Sequence, residues 1–388
     1  MKIAVIDPSL YTWPYDAALA AALCRAGHDV RIFGKAVASS DPRFGDAMLE
    51  PLFYRSMADV AKGRTPRTAF LVRKGFSHVT SMVRLVKALR RWQPAIIHIH
   101  WLLFPLVDRC FLRTLRRIAP LVLTVHDTNP FNANPAIRVQ ALGAVSIMRS
   151  FDQLIVHTSQ GIDRLTAHGI AAARITRIAH GLLHAPAAAP PPPARRPDGR
   201  LAFLLFGLVK PYKGVDLLIR AVAQLDPDVR RRAVFEVAGR PEMDVAPLLA
   251  LARDLAVDEA IRFDFRFVPD DELAAKMRES AVLLFPYREI EASGVLLSAL
   301  AWHRPVIATR IGLFAEIIED GRSGLLVPPE APSALADAIR RLIEESTLLP
   351  ALAEGVRDLA HSIPDWDAIA RETLAVYAAA GTSATRIR

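Results

Sequence analysis

Two lysines, Lys210 and Lys213, lie in FGLVKPYKG (206–214), between the apolar run Leu201–Phe206 and a helical pattern over Val215–Gln224. At the carboxyl end of a strand in a parallel sheet, two ammonium groups suit the diphosphate of a ligand; the plainer alternative is a pair of surface lysines in a turn. A second chemically rich stretch is Pro286–Thr309, PYREIEASGVLLSALAWHRPVIAT, which follows the strand-like run Val282–Phe285. Its loop carries Arg288, Glu289, Glu291 and Ser293, and Gly294–Trp302 reads as a helix leading to a strand at Val306–Thr309. Backbone N–H groups at Ser293, Gly294 and Val295, at the positive end of that helix dipole, would suit a phosphate. An unadorned βαβ crossover accounts for the same pattern. His98 and His100 fall on one face of a strand, but no Cys or carboxylate lies near them in sequence, so a metal site is not expected. His100 and Trp101 are better placed to line a binding site at the strand end. Asp365–Trp366–Asp367 has the form of a D-x-D metal signature, yet after Pro364 and before a helical pattern it is more simply an N-cap.

The elements that must position these residues alternate along the whole chain. Strand patterns fall at Lys2–Ile6, Asp29–Phe33, Ile96–His100, Leu121–His126, Gln153–His157 and Ile175–Ile178, with helical patterns at Asp16–Ala26, Phe70–Trp92, Pro105–Ile118 and Gly161–His168. Residues 35–70 show little periodicity and are expected to be irregular. A second series runs through Leu201–Phe206, Val234–Ala238, Ile261–Phe265, Val282–Phe285, Val306–Thr309 and Gly324–Val327. Its helices are expected to start near Gly214, Val245, Asp270, Gly294, Phe314 and Ala331. Between the series lies APAAAPPPPARRPDG (185–199), a stiff connector by composition. The expectation is an α/β chain of two Rossmann-like doubly wound domains facing a cleft. The first spans 1–184, the linker 185–199 and the second 200–364, while a helix in 365–388 crosses back to the first domain. No G-x-G-x-x-G follows the first strand, so no nicotinamide or flavin is assigned.

Length and composition fit this plan. A chain of 388 residues with 52% hydrophobic content is too long for one ordinary core. No apolar run approaches the roughly 18–20 residues needed to span a bilayer, and MKIAVIDPSL reads as a first strand instead of a signal peptide. Two cysteines, Cys24 and Cys110, make no disulfide framework, so a reducing cytoplasm is the expected compartment. Charge is uneven: residues 1–190 carry 24 Lys and Arg against 11 Asp and Glu, a surplus of 13, whereas the remainder is slightly acidic. A basic half calls for an anionic partner. Nucleic acid is disfavoured, because no basic motif interleaved with aromatics is present. The helix over Phe70–Trp92 sets Arg73, Lys74, Arg84, Lys87, Arg90 and Arg91 among apolar residues, a pattern suited to an anionic membrane surface or to a solvated helix packed on the sheet.

Six segments in order carry a family resemblance: GHDVRIF (27–33), IIHIHW (96–101), TVHD (124–127), FGLVKPYKGVDLL (206–218), the 286–309 stretch and GLFAEIIEDGRSGLLV (312–327). Together they resemble the family 4 glycosyltransferases of GT-B architecture, nearly end to end. The resemblance implies transfer of a sugar from a nucleotide-sugar donor, a UDP- or GDP-sugar, to a glycan or lipid-linked acceptor, usually with retention of configuration and without a metal or other cofactor. It places the donor on the second half and the acceptor on the first, and the enzyme in the cytoplasm or peripherally at the inner face of the membrane. Residue by residue, Lys213 matches the lysine that contacts the donor diphosphate, with Lys210 as helper where the family commonly has an arginine two positions earlier, at Leu208. His126 matches the histidine near the reaction centre and Glu316 the glutamate beside the nucleotide, while Phe267 and Val268 fall where the chain passes the base. His100, Trp101 and Asp127 fall on the acceptor side. The family's two glutamates eight positions apart are replaced by Ile290 and Ser298. Glu289 or Glu291 would then serve the sugar, and Ser298 would offer the ribose one hydroxyl. A nucleotide-sugar epimerase of the same shape, or a catalytically impaired homologue, stays open as an alternative.

Overall fold

The computed structural model describes residues 1–36, 49–55, 67–128, 144–186 and 188–385. Contacts divide the chain into two compact units, Met1–Gly181 with Pro364–Arg388 and Leu182–Ile363. Both are parallel sheets of near-continuous apolar strands covered by helices, as expected of strands buried on two faces.

In the first unit the strands are β1 Lys2–Ile6, β2 Asp29–Lys35, β3 Leu49–Phe53, β4 Ile96–Ile99, β5 Leu121–Val125, β6 Gln153–Val156 and β7 Ile175–Arg177. Their order is β3-β2-β1-β4-β5-β6-β7, all parallel. The helices are α1 Trp13–Arg25, α2 Arg67–Trp92, α3 Pro105–Arg116, α4 Ala144–Met148 and α5 Ser159–Ala167. The expected irregular stretch over 35–70 needs correction where it is described. Leu49–Phe53 is an edge strand, which tolerates Pro51 because an edge leaves one row of ladder positions unpaired. Residues 37–48 and 56–66 of that stretch lie outside the described residues.

In the second unit the strands are β8 Leu201–Phe206, β9 Ala233–Ala238, β10 Ile261–Asp264, β11 Val282–Phe285, β12 Val306–Thr309 and β13 Leu325–Val327, ordered β10-β9-β8-β11-β12-β13. The helices are α6 Val215–Ala223, α7 Pro227–Arg231, α8 Ala246–Asp254, α9 Asp270–Glu279, α10 Gly294–Ala301, α11 Gly312–Ile317, α12 Pro332–Glu344 and α13 Leu348–Ser362. The last helix, α14 Trp366–Thr385, belongs to the first unit. There Ile369, Ala370, Val376, Tyr377 and Ala380 join the core of Ile3, Val5 and Leu19, and Asp367 pairs with Arg25 at 2.6 Å. Asp365 Oδ1 accepts from Ala368 N at 2.7 Å, an N-cap in place of a metal signature.

The proline-rich segment differs from a free connector. The division between units falls at Gly181/Leu182, and the segment is held to the second unit by arginines satisfying its carbonyls or using it as a base. The fully buried Arg304 donates to Pro191 O (2.8 Å) and Met277 O (2.8 Å), and Arg195 donates to Ile343 O (2.8 Å). A polyproline stretch has few donors of its own, so its carbonyls are the groups a neighbouring cation can bind.

Candidate functional site

Each sheet has one topological switch point, where the strand order reverses and the loops beyond the carboxyl ends diverge: β1/β4 in the first unit and β8/β11 in the second. The chemically suggestive residues gather at these two places.

At the β8/β11 switch, three glycines let the chain fold tightly around Lys213. Gly207 has φ 112°, and a Cβ there would come within 2.8 Å of Lys213 Nζ. Gly239, at the end of β9, packs on the carbonyl of Gly207, which a Cβ would meet at 2.1 Å. Gly214 (φ 65°) lies against Pro286 O, at 1.9 Å from a built Cβ, so no larger residue fits where the two loops touch. Arg288 then staples them: its N–H donates to Tyr212 O (2.7 Å), and its guanidinium donates to Pro211 O (3.1 Å) and forks onto Asp216 (2.8 and 2.7 Å). On the other side Leu313 N donates to Glu291 O (2.9 Å) and Gly312 abuts Ile290 O. The Pro286–Ser293 loop is thus clamped from both flanks.

Lys213 is buried, with Nζ donating to Phe206 O at 3.3 Å and lying 4.9 Å from the centre of the Tyr287 ring. Loss of hydration, reinforced by the Lys210 charge, lowers its pKa to about 7. Lys210 itself forms an ion pair with Glu242 at 3.2 Å. Ser293 caps α10, its hydroxyl accepting from Leu296 N (3.3 Å), and Gly294 and Val295 form the first turn, with Val295 Cγ2 3.2 Å from a Cβ built on Gly207. Lys213 and the start of α10 therefore share one corner, with a cation and helix-terminal amides converging as an anion would require. Ser298 is buried one turn on, its hydroxyl 3.0 Å from Gly294 O and 2.9 Å from His184 Nδ1. Glu291 is buried, whereas Glu289 and Glu316 are exposed. Phe267 is 57% exposed, but Val268 is a core residue beside Leu273 and Phe285.

At the β1/β4 switch and on toward β6, the parallel register lines up three histidines, each the residue after its strand: His100 after β4, His126 after β5 and His157 after β6. Tyr15 of α1 stands among them, with ring centres 5.4, 4.9 and 5.3 Å away, and His180 packs on it at 4.9 Å. Trp101 stacks on His126 at 5.6 Å with an interplanar angle of 13°, and its indole N–H donates to Thr12 Oγ1 (3.1 Å). A small cavity is lined by His100, Trp101, Pro105, Thr124, His126 and Asp127. Burial holds these histidines neutral: His100 and His157 are lowered to about 4, His180 to about 3, and His98 and His126 well below the usual value. His98 contacts Tyr377 Oη (2.8 Å) and Thr124 Oγ1 (2.7 Å). His100 Nδ1 lies 2.5 Å from Asp16 Oδ1. Burial and mutual repulsion raise Asp7 to about 8, and burial raises Asp16 to about 7.

Residues 17–182 match the family description "Glycosyltransferase Family 4", and residues 200–345 match "Glycosyl transferases group 1". A protein from Catenulispora acidiphila named D-inositol 3-phosphate glycosyltransferase 1 is 30% identical over 305 residues, 74% of this chain and 72% of that protein. The chain belongs to the family 4, group 1 glycosyltransferases. A Streptomyces bingchenggensis protein named D-inositol 3-phosphate glycosyltransferase is 31% identical over 78% of this chain, and the match spans 65% of that relative's length. Among solved structures, Anabaena HepE in complex with UDP and glucose is 18% identical with TM-score 0.73, covering 97% of this chain and 99% of that one. Sucrose-phosphate synthase from Thermosynechococcus elongatus is 19% identical with TM-score 0.75, covering 97% and 98%. These likenesses show the fold, the paired Rossmann-like sheets of the GT-B glycosyltransferases.

Within this glycosyltransferase, Lys213 and the Ser293–Val295 start of α10 share one corner of the second unit, with Lys210 acting on the charge of Lys213 and Glu291 on the adjoining clamped loop, while His100, Trp101, His126 and Asp127 border one cavity of the first. Of the pair expected where the chain passes the base, Phe267 is exposed and Val268 has its side chain in the core. Ser298 is also turned inward, its hydroxyl held by Gly294 and His184. His157, His180, Tyr15 and Asp16 were not singled out from sequence. A repeated signal was present, an apolar strand ending in histidine in IIHIH, LVLTVH and QLIVH, which becomes a cluster once the strands are known to be neighbours.

Proposed function

We propose that the protein transfers a glycosyl group from a nucleotide-diphosphate sugar to a hydroxyl acceptor, the donor held by the second unit and the acceptor by the first. The observation that carries this reading is Lys213, a buried cation set against the first turn of α10 at a switch point. A buried ammonium with few fixed partners is costly unless an anion neutralises it in the working state. Structures of the similar-fold HepE in complex with UDP and with UDP-glucose support a nucleotide-sugar donor.

Cleavage of the sugar–phosphate bond builds positive charge on the ring and negative charge on the departing diphosphate. Lys213 and the amides of Ser293, Gly294 and Val295 stabilise that leaving group, with Lys210 adding charge once it is drawn from Glu242. The acceptor hydroxyl attacks on the face from which the diphosphate leaves, and a phosphate oxygen takes its proton. Configuration is then retained with neither a protein nucleophile nor a metal. His126 stands at the sugar, and Glu291 is the buried carboxylate of the clamped loop, where Glu289 is exposed. Incubating the protein with UDP- and GDP-sugars tests the reading. Nucleoside diphosphate released only when a sugar or lipid acceptor is added is the expected result; an epimerised donor without acceptor would replace the reading with an epimerase.

The first unit's charge and α2 point to an anionic, phosphate-bearing or lipid-linked acceptor, in keeping with relatives named for inositol 3-phosphate. On α2 the inner face of Met82, Leu85, Val86 and Leu89 is buried, while Phe76, Val79 and Val83 are 73%, 37% and 43% exposed. They fall at i, i+3 and i+7, one outward stripe flanked by the exposed Arg84 and Lys87. Among the described residues no helix is long and apolar enough to cross a membrane. Such a stripe suits reversible docking on an anionic bilayer, each nearby cation contributing about 1 kcal/mol. Co-sedimentation with anionic vesicles at low salt, lost at high salt and absent with neutral vesicles, is expected. Equal partitioning onto both vesicle types would remove the membrane from the account.

A further inference from the structure

We infer that His157 is a positioning residue that fixes the tautomer of His126, so that His126 presents a bare Nε2 to the substrate and acts there as a hydrogen-bond acceptor. The inference rests on the placing of His126 beside the sugar under the proposed function, and it adds which hydrogen-bonding role the imidazole plays.

Ile178 O lies 3.0 Å from His157 Nδ1. A carbonyl only accepts, so Nδ1 of His157 must carry the proton and donate. His157 is buried among other histidines and apolar side chains, which keeps the ring neutral. A neutral imidazole has one N–H, so Nε2 of His157 holds a lone pair. That lone pair faces His126 Nδ1 at 3.3 Å. For the contact to be a hydrogen bond, His126 Nδ1 must donate. His126 is itself held neutral by burial and by its neighbours, which leaves its Nε2 unprotonated. The other tautomer would set two lone pairs face to face and bury an N–H at Nε2, an atom shielded from solvent with no hydrogen-bond partner among the described residues.

Ring orientation is constrained independently. Trp101 stacks parallel to His126 on one side, and the Tyr15 ring meets it edge-on at 89°. Neither supplies a polar atom to Nε2, so packing fixes where the ring points while His157 fixes which nitrogen bears the proton. His126 borders the cavity that also holds Trp101, Thr124 and Asp127. A bare Nε2, shielded from solvent until a substrate reaches it, selects a donor: it accepts from a sugar hydroxyl and repels a phosphate or carbonyl oxygen.

Histidine tautomers are read directly from two-bond proton–nitrogen NMR spectra of full-length protein labelled with 15N-histidine, with His126 assigned by the signals lost in His126→Gln. At neutral pH the expected pattern for His126 is a protonated Nδ1 and a bare Nε2. A protonated Nε2 in the unaltered protein overturns the inference outright, whatever the variants do. His157→Phe removes the acceptor and is expected to move His126 toward the Nε2–H form. His157→Gln can accept from His126 and donate to Ile178 O, so it is expected to keep the original form. Turnover should fall about tenfold or more in His157→Phe, the scale seen when a group that orients a site ligand is removed, and recover in His157→Gln. A folded His157→Phe protein whose His126 spectrum is unchanged also overturns the inference. Tautomers that behave as expected while His157→Phe and His126→Gln both retain full turnover would uphold the relay and overturn the placing of His126 at the sugar.

Discussion

Lys213→Ala is expected to lower turnover by on the order of 10²-fold or more while the fold persists, the scale of removing one preorganised electrostatic group from a charged transition state. The cation is buried, and Gly207, Gly214 and Gly239 are all shaped around its loop, so its position is set before any ligand arrives. Full turnover in a protein with unaltered circular dichroism would remove Lys213 from the account. The same lysine gives binding a pH dependence. Burial and Lys210 lower its pKa to about 7, and an arriving diphosphate raises it by adding an opposite charge. Above pH 7 the free enzyme must therefore take up a proton to bind. Affinity for a nucleotide sugar should be level below about pH 7 and fall by up to tenfold per pH unit above it. Titration calorimetry at pH 6.5 and 8.5 would show this, and equal affinities would contradict it.

The second large effect is acid destabilisation centred on the first unit. His98, His100, His126, His157 and His180 are neutral in the folded protein at pH values where the unfolded chain protonates them, below about 6.5. A lowered folded pKa means that the unfolded state binds more protons, so stability rises with pH through the window between about 4 and 6.5. Asp7 and Asp16 act in the opposite sense, because their raised pKa values make the folded state bind more protons from about pH 4 up to 7 and 8. Five histidines against two carboxyls leave a net uptake of about three protons on unfolding near pH 5, a slope of about 4 kcal/mol per pH unit. Above 6.5 the histidine contribution ends, and the decline the two aspartates alone would give toward pH 8 is offset by Lys213, whose pKa of about 7 leaves the unfolded chain binding the extra proton there. The urea midpoint should therefore drop steeply between pH 6.5 and 5 and change little between 6.5 and 8. A midpoint level between pH 6.5 and 5 would mean that the histidines are hydrated or protonated in the folded state.

Much of the fold could be read from the chain because each buried parallel strand is a short apolar run followed by a helical pattern, and the period alone separates the two. What escaped had physical reasons. Leu49–Phe53 is five residues long, carries Pro51 and pairs on one side only, so it has none of the signals of an interior strand. Leu348–Ser362 has Pro350 in its first turn and Gly355 in its middle, and Gly355 is there because the carbonyl of Arg322 would lie 2.0 Å from a Cβ. The segment 185–199 looks like a linker by composition, but proline content does not reveal that Arg304 will bind one of its carbonyls. At the candidate site, Lys213 and the start of α10 were legible because strand, loop and helix follow one another in sequence. The histidine cluster was not, because it depends on β4, β5 and β6 being spatial neighbours and on α1 bringing Tyr15 among their ends.

The central claim is that the second unit binds a nucleotide-diphosphate sugar at Lys213, and its most direct test is the melting temperature of the protein in the presence of UDP-, GDP- and ADP-sugars. A ligand that binds the folded state alone raises stability by about 2.7 kcal/mol at one hundred times its dissociation constant. The account predicts that at least one of these donors raises the melting temperature and that Lys213→Ala abolishes most of the rise. No shift with any nucleotide sugar, or an undiminished shift in Lys213→Ala, would contradict it.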